Sequence, residues 1–249
     1  MKYRNTVEFE VYGEYALFSD PVTRVGGEKC SMQVPSYEAI KGILHSIYWK
    51  PTLIWIVDEV RVMNPIQTET KGIRPIKYYK DGNDLSYYTY LRNCRYQVRA
   101  HFIWNENRPE LICDRNENKH HNIAKRMIER GGRRDVFLGT RECQAYVKPC
   151  VFGEGEGFYD DIPEIGFGIT YHGITYADEA YSEETKGKMT VRFWRAEMKK
   201  GIINFLQPKE CIHRAIRDMN VKIFGEEYNN ISFENEGGDV VDVMDETVI

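Results

Sequence analysis

The 249-residue sequence lacks several features that would place it in a large class of proteins at once. No stretch approaches the roughly 18 consecutive apolar residues that a membrane-spanning helix needs. Residues 1–5 run directly into a strand pattern without the apolar core of a signal peptide, so we expect a cytoplasmic protein with no membrane partner. The six cysteines form no CxxC pair and no metal-ligand spacing, which favours scattered, reduced thiols.

Common motifs of nucleotide-dependent and hydrolytic enzymes are also absent. The paired glycines Gly26-Gly27 and Gly131-Gly132 lack the Lys-Ser/Thr that follows a phosphate-binding loop, and neither pair fits GxGxxG. The nucleophile elbow GxSxG does not occur. The sequence therefore gives no support to nucleotide hydrolysis, and we expect no cofactor and no metal.

The net charge of −4 conceals an uneven distribution of charge along the chain. Eight of the 38 carboxylates lie in residues 225–249, which contain no lysine or arginine. Residues 1–224 therefore contain the other 30 carboxylates and all 34 basic residues, which gives them a net charge of +4. Residues 92–148 hold 13 Lys and Arg against 7 Asp and Glu. This middle stretch indicates an anionic partner, whereas the acidic end is typical of a solvated, disordered tail.

Hydrophobic periodicity predicts an α+β protein in which residues 1–152 form the first domain. Alternation of apolar and polar residues predicts strands at residues 7–13, 54–63, 94–104 and 141–151. One helix opens at Pro35-Ser36 and a second begins near Lys119. Strand, helix, strand, strand, helix, strand is the ferredoxin-like order, which leaves one sheet face free for a ligand. RNA-recognition domains use that face.

Further elements are expected around this sheet. Residues 68–79 are predicted to form an inserted hairpin around Lys71-Gly72. Residues 153–224 follow a glycine-rich joint and are predicted to form a small antiparallel β-sheet domain. Its strands are expected at residues 165–176, 189–198 and 202–206.

Basic side chains on the sheet, the hairpin and the second helix are candidates for contact with RNA. Arg95 and Arg99 lie with His101 on the polar side of an alternating strand, which could also be a solvated strand face. The predicted RNA-binding residues are Arg74, Lys77, Arg95, Arg99, His121 and Arg126.

A cation-rich cluster, residues 118–122 (NKHHN), directly precedes the helical run at 123–128. With Asn118 as N-cap, Lys119 and His120 would lie beside the free N–H donors of a helix start, which favours phosphate. Lys119 supplies a fixed charge, and His120 can exchange a proton near neutral pH. These groups could cut RNA without a metal, but the cluster could equally be a solvated cap.

A zinc site made of His120, His121 and Cys113 is a further alternative. Adjacent residues of a helix point about 100° apart, which disfavours two neighbouring histidines on one ion.

Tyr48 lies about a quarter-turn from the apolar stripe of the first helix. We expect its ring to pack and its hydroxyl to reach the surface. Alone it would be an ordinary tyrosine at the edge of a core.

Three segments together resemble a known family. Residues 36–44 (SYEAIKGIL) lead into Tyr48-Trp49-Lys50-Pro51, and residues 118–122 and 165–168 (IGFG) follow. The combination resembles the type I-C CRISPR-associated RNA endonuclease, the catalytic subtype d, also called c, of the Cas-five family within the RAMP superfamily. The likeness covers about residues 5–207. The catalytic tyrosine, lysine and histidine of the family match Tyr48, Lys119 and His120.

The resemblance implies a metal-independent endoribonuclease that cleaves precursor CRISPR RNA at the repeat hairpin. It also implies that the protein stays on the 5′ handle of the product crRNA, as a subunit of the type I-C Cascade complex. The alternative is a non-catalytic crRNA-binding or scaffold subunit, because the same basic residues would serve it. Attack by the ribose 2′-hydroxyl would leave a 2′,3′-cyclic phosphate. The sequence does not assign the roles of general acid and general base to particular residues.

Overall fold

The computed structural model of the protein describes residues 4–21, 23, 27–77, 79 and 82–221. The predicted acidic tail, residues 225–249, lies outside these. The strands, numbered in chain order, are β1 (Val7–Ala16), β2 (Lys29–Cys30), β3 (Leu53–Val62), β4 (Gln67–Ile73), β5 (Ser86–Trp104), β6 (Val136–Phe137), β7 (Gln144–Pro149), β8 (Ile165–Thr175), β9 (Lys188–Met198), β10 (Ile202–Asn204) and β11 (Ile212–Asp218). No helix within the described ranges is long and apolar enough to cross a membrane.

The strands form two sheets, as expected for an α+β protein with antiparallel sheets. The larger sheet has the order β10-β3-β5-β1-β7-β6, with β2 and β4 both paired to β5. Its neighbours are antiparallel except for the short β2–β5 pair. The smaller sheet has the order β11-β9-β8 and is antiparallel.

Two helices lie in the predicted positions between strands. Helix α1 (Tyr37–Ile47) connects β2 to β3, and helix α2 (Glu117–Glu129) connects β5 to β6. Helix α1 is capped by Ser36, whose hydroxyl oxygen accepts from the Ala39 N–H at 3.2 Å. Both helices contribute to one hydrophobic core with the inward face of β1, β3 and β5. That core fixes where the two helices stand relative to each other.

The predicted start of the second helix is wrong by two residues. The N-cap is Asn116 rather than Asn118, because the Asn116 side chain accepts from the Lys119 N–H at 3.0 Å. Residues 118 to 120 therefore lie inside the first turn.

The predicted hairpin at residues 68–79 is also wrong. Strand β4 runs straight through Lys71-Gly72 and pairs with the first half of β5. Gly72 sits against the Leu85 and Tyr87 side chains as an ordinary strand residue. The chain reverses further on, in the loop before β5, where Gly82 has a φ of +112°.

The third strand of the smaller sheet was assigned to the wrong segment. Residues 202–204 form β10, which pairs with β3 in the larger sheet and buries Ile203 completely. The left-handed pair Lys200 and Gly201 makes the tight turn that sends the chain back there. Strand β11 completes the smaller sheet instead. The division of the chain at residue 153 stays a prediction, and β10 ties the second part to the first sheet.

The face of the larger sheet that points away from the helices is partly covered, not free. Arg61, 5% exposed, donates to the carbonyl oxygens of Glu154 and Gly155 and forms an ion pair with Asp160 at 2.7 Å. Gln97, 3% exposed, also donates to the Glu154 carbonyl at 2.8 Å. These bonds hold the segment after β7 across the middle of the face, and the β1–β7 end still presents the exposed side chains of Tyr12 and Tyr146.

Candidate active site

Tyr48 is the residue at which α1 ends. Its extended backbone follows the helix, and its N–H still donates to the Leu44 carbonyl at 2.8 Å. Its own carbonyl accepts from the Trp55 indole at 2.7 Å. Strand β3 and helix α1 thus hold the tyrosine from both sides, and only 3% of the residue is exposed.

The Tyr48 hydroxyl is hydrogen-bonded to His120. The oxygen lies 2.7 Å from His120 Nδ1, and His120 Nε2 lies 2.8 Å from the Asp114 carbonyl oxygen. A carbonyl can only accept, so Nε2 carries the ring proton and Nδ1 is left to accept from Tyr48. The ring is fully buried, between Phe102 and Trp104.

Asp114 connects this pair to Lys119. It ends a short 3-10 helix (Pro109–Asp114), and its carboxylate accepts from Lys119 Nζ at 2.5 Å and from the Thr52 hydroxyl at 2.9 Å. The Lys119 hydrogen bond, helped by Thr52 and the His120 ring, lowers the pKa of Asp114 against the opposing effect of burial. The carboxylate is therefore charged. It binds the Lys119 ammonium and so links the lysine to the Tyr48–His120 pair.

Burial raises the pKa of Tyr48 above its usual 10, and the charge of Asp114 adds to the effect, while Arg133 opposes it. The hydroxyl therefore keeps its proton at neutral pH. It is suited to donating or relaying a proton and unsuited to acting as a free phenolate.

The structure brings all three predicted catalytic residues together around Asp114, but it overturns two expectations about exposure. The Tyr48 hydroxyl does not reach the surface, and His120 points into the core. His120 lies at helical spacing with Ala124 and Ile128 on the buried side of α2. Only Lys119, with 47% of its side chain exposed, faces outward as expected.

The predicted basic strand face is largely neutralised by carboxylates. Arg95 pairs with Glu10 at 2.8 Å. Arg99 pairs with both Glu8 and Glu59 and lies 4.3 Å from the Phe152 ring.

His101, on the same strand, is 2.9 Å from Asp58. Acidic residues on β1 and β3 therefore share this face with the basic residues, and the assignment of Arg95 and Arg99 to RNA binding stays a prediction.

The other predicted RNA-binding residues lie at scattered positions. Arg74 and Lys77 are exposed in the loop between β4 and β5, and Arg126 is exposed on α2. His121 Nε2 is 3.0 Å from the Thr6 carbonyl oxygen, which directs its ring away from His120. The zinc alternative therefore lacks its geometry, and the described part of the chain contains no group of three or more His, Cys, Asp or Glu placed to hold a metal ion.

Sequence reasoning missed Asp114 altogether. An aspartate five residues before the lysine follows no helical spacing, and its role depends on the 3-10 turn that folds it back over Thr52. No pattern in the sequence marks that turn.

Comparisons with known proteins identify the family. Residues 6–206 match the family described as CRISPR-associated protein (Cas_Cas5), subtype Cas5d. The chain belongs to the Cas5d family. Over 241 residues, 93% of this chain and 96% of the relative, it is 24% identical to the CRISPR pre-crRNA endoribonuclease Cas5d of Thermus thermophilus. Over 165 residues, 57% of this chain and 71% of the relative, it is 26% identical to the protein of that name from Mannheimia succiniciproducens.

Solved structures agree with this family. A crystal structure of a CRISPR-associated protein superimposes with a TM-score of 0.70 at 36% identity, covering 84% of this chain and 96% of that one. A functionally uncharacterized protein from Streptococcus mutans gives a TM-score of 0.69, with the same identity and coverage. The Cas5d fold therefore extends over most of the chain.

We predict that Asp114→Ala will lower the free energy of unfolding by about 1–3 kcal/mol, because it leaves the buried Thr52 hydroxyl and the Lys119 ammonium without their acceptor. Urea unfolding measures this, with Asp135→Ala, an exposed aspartate after α2, as the control. A carboxyl with a lowered pKa stabilises the fold above its usual pKa of 3.8 and loses this effect as the pH falls through the lowered value. The difference from the wild type should shrink in that direction; a difference that grows on acidification would contradict the assignment.

Proposed function

We propose that this Cas5d protein is an endoribonuclease that cleaves precursor CRISPR RNA at the repeat hairpin without a metal ion. The observation that carries the proposal is the hydrogen-bonded set Tyr48, His120, Asp114 and Lys119. The two relatives named as pre-crRNA endoribonucleases support the same reaction class.

The larger sheet supports the assignment to the ferredoxin-like, RAMP type of fold. Its four central strands lie in the order β3-β5-β1-β7, all antiparallel, with α1 and α2 as the two connections. After cleavage, we infer, the protein remains on the 5′ handle of the crRNA as a type I-C Cascade subunit. Its place is the cytoplasm, where the precursor is transcribed.

The proposed reaction is attack by a ribose 2′-hydroxyl on the adjacent phosphorus. The 2′-oxygen loses its proton and bonds to phosphorus, the bond to the 5′-oxygen of the next nucleotide breaks, and that oxygen takes up a proton. The products are a 2′,3′-cyclic phosphate and a 5′-hydroxyl. The Lys119 ammonium stabilises the charge that develops on the phosphorane oxygens.

The hydrogen-bond direction assigns the Tyr48–His120 pair to the base side of this reaction. Tyr48 passes its proton to His120 Nδ1 as its oxygen accepts the proton of the 2′-hydroxyl. The imidazolium that forms is stabilised by the Asp114 carboxylate, whose oxygen lies 3.5 Å from His120 Nε2. In this way the Tyr48 hydroxyl, which is a poor base by itself, accepts a proton because it passes its own proton to the His120 ring.

One observation favours the second candidate, a non-catalytic crRNA-binding or scaffold subunit. His120 is 0% exposed and both its ring nitrogens are hydrogen-bonded, as in a histidine that serves packing. For cleavage, bound RNA must open a route to the Tyr48 oxygen. Cleavage of a repeat RNA by the purified protein in EDTA separates the two candidates.

We predict that Tyr48→Phe and Lys119→Ala each reduce the single-turnover cleavage rate in EDTA by about 10²- to 10⁴-fold, with RNA affinity changed much less. The first variant keeps the packed ring but leaves His120 Nδ1 without its donor, so its folding is checked by urea unfolding before its rate is compared. The second changes an exposed side chain and should not disturb the core. Lys125→Ala, an exposed lysine on the same helix, is the matched control and should cleave like the wild type. Wild-type rates for Lys119→Ala would refute its role.

We also predict that a single 2′-deoxyribose before the cut will block cleavage while affinity stays near normal, because the nucleophile is that hydroxyl. Products of unmodified RNA should carry a 2′,3′-cyclic phosphate and a 5′-hydroxyl, which mass spectrometry detects. A 5′-phosphate on the downstream product would instead indicate attack by an activated water.

A further inference from the structure

Two tyrosines lie side by side on the open end of the larger sheet's outer face. Tyr12 on β1 and Tyr146 on β7 are cross-strand partners, and their ring centroids are 5.8 Å apart with 35° between the planes. Tyr12 is 38% exposed and Tyr146 56%. Two large rings are therefore presented together to solvent.

Two cations border these rings. Lys148 Nζ lies 5.3 Å from the centroid of the Tyr12 ring, and Arg95 is the partner of Tyr12 on β5. Both cations bind the same carboxylate, Glu10, at 2.9 and 2.8 Å, yet about half of each side chain remains exposed. One nearly buried carboxylate thus holds two cations beside the aromatic surface, leaving a local positive excess.

Residues 152–155 close the part of the outer face beside this surface, which limits its size on that side. Gln97 and Arg61 lie under residues 153–155, and Phe152 lies against Arg99. On the other side, the exposed carboxylate of Glu14 follows two residues after Tyr12 on the same strand. The open area therefore has room for a short occupant only.

We propose that Tyr12 and Tyr146, with Arg95 and Lys148, form a stacking platform for about two unpaired nucleotides next to the repeat hairpin. The inference rests on the proposed RNA substrate and assigns a second contact surface for it. Stacking on aromatic rings is how proteins hold single-stranded bases without reading their sequence, and nearby cations follow the phosphates. A base-paired stem keeps its bases stacked inside, so the occupant must be single-stranded.

The charges favour RNA over a protein partner. An apolar protein contact would bury the exposed parts of Arg95 and Lys148 at a desolvation cost, whereas a phosphate backbone supplies further anions to two cations that share one carboxylate.

The experiment measures the affinity of the full chain for two RNAs, the repeat hairpin with its single-stranded flanks and the hairpin alone. The variants are Tyr12→Ala, Tyr146→Ala and the corresponding phenylalanines. Tyr176→Ala is the matched control, since Tyr176 is 37% exposed and lies at the smaller sheet. We expect each platform alanine to weaken binding of the flanked RNA on the order of 5- to 100-fold.

The platform also predicts a pattern across the two RNAs. Removing the flanks should weaken the wild type but change the alanine variants little, and phenylalanine variants and Tyr176→Ala should match the wild type. Alanine variants that bind the flanked RNA like the wild type would overturn the platform but not the proposed function. The same conclusion would hold if those variants kept their RNA affinity and lost the binding of a protein partner. A wild type that binds neither RNA would overturn the proposed function and the platform together.

Discussion

The carboxylate of Asp114 is the contact on which the candidate active site depends. It joins a lysine from the start of α2, a threonine from the start of β3 and, through its own backbone carbonyl, the histidine beneath them. The lysine and the histidine are neighbours in α2, whereas the threonine comes from a distant part of the chain. Without this residue the exposed cation and the buried Tyr48–His120 pair would be separate features, one on the surface and one in the core.

The site has a buried part, Tyr48 and His120, and an exposed part, Lys119, and the two differ in the hydrogen bonding that they require. Buried polar groups need complete hydrogen bonding, and the Tyr48 hydroxyl and both nitrogens of His120 have it. The ammonium of Lys119 instead remains half-exposed, where a phosphate can approach it. The buried hydrogen bonds fix the tautomer of the His120 ring, and the exposed Lys119 ammonium offers a positive charge to the phosphate. The proposed cleavage requires that the bound RNA bridges the two.

The sequence allowed much of the architecture to be predicted, because periodicity records burial. The alternation in β5 and the stripe of Ile40, Ile43, Leu44 and Ile47 in α1 correctly indicated which sides face the core. Errors arose where a tertiary contact decides the outcome. Residues 202–204 alternate like any edge strand, and only pairing with β3 determines which sheet they join.

Tertiary contacts also explain which predictions about the candidate active site were right and which were wrong. Tyr48, Lys119 and His120 were found by resemblance to a family, and the structure brings them together. The exposure of Tyr48 and His120 was misjudged, because the side of α2 that packs into the core is the one that carries His120, Ala124 and Ile128. Arg95 and Arg99 look like free cations in one strand, but the glutamates that neutralise them lie on neighbouring strands at distant sequence positions.

The central claim is that Tyr48 and His120 act as one unit in moving a proton. A double-mutant cycle on the single-turnover cleavage rate in EDTA tests it most directly, with Tyr48→Phe, His120→Asn and the double variant at a temperature where all remain folded. If the proton passes through both groups, the double variant should be no slower than the slower single variant. Losses that multiply in the double variant, or a wild-type rate in either single variant, would contradict the claim.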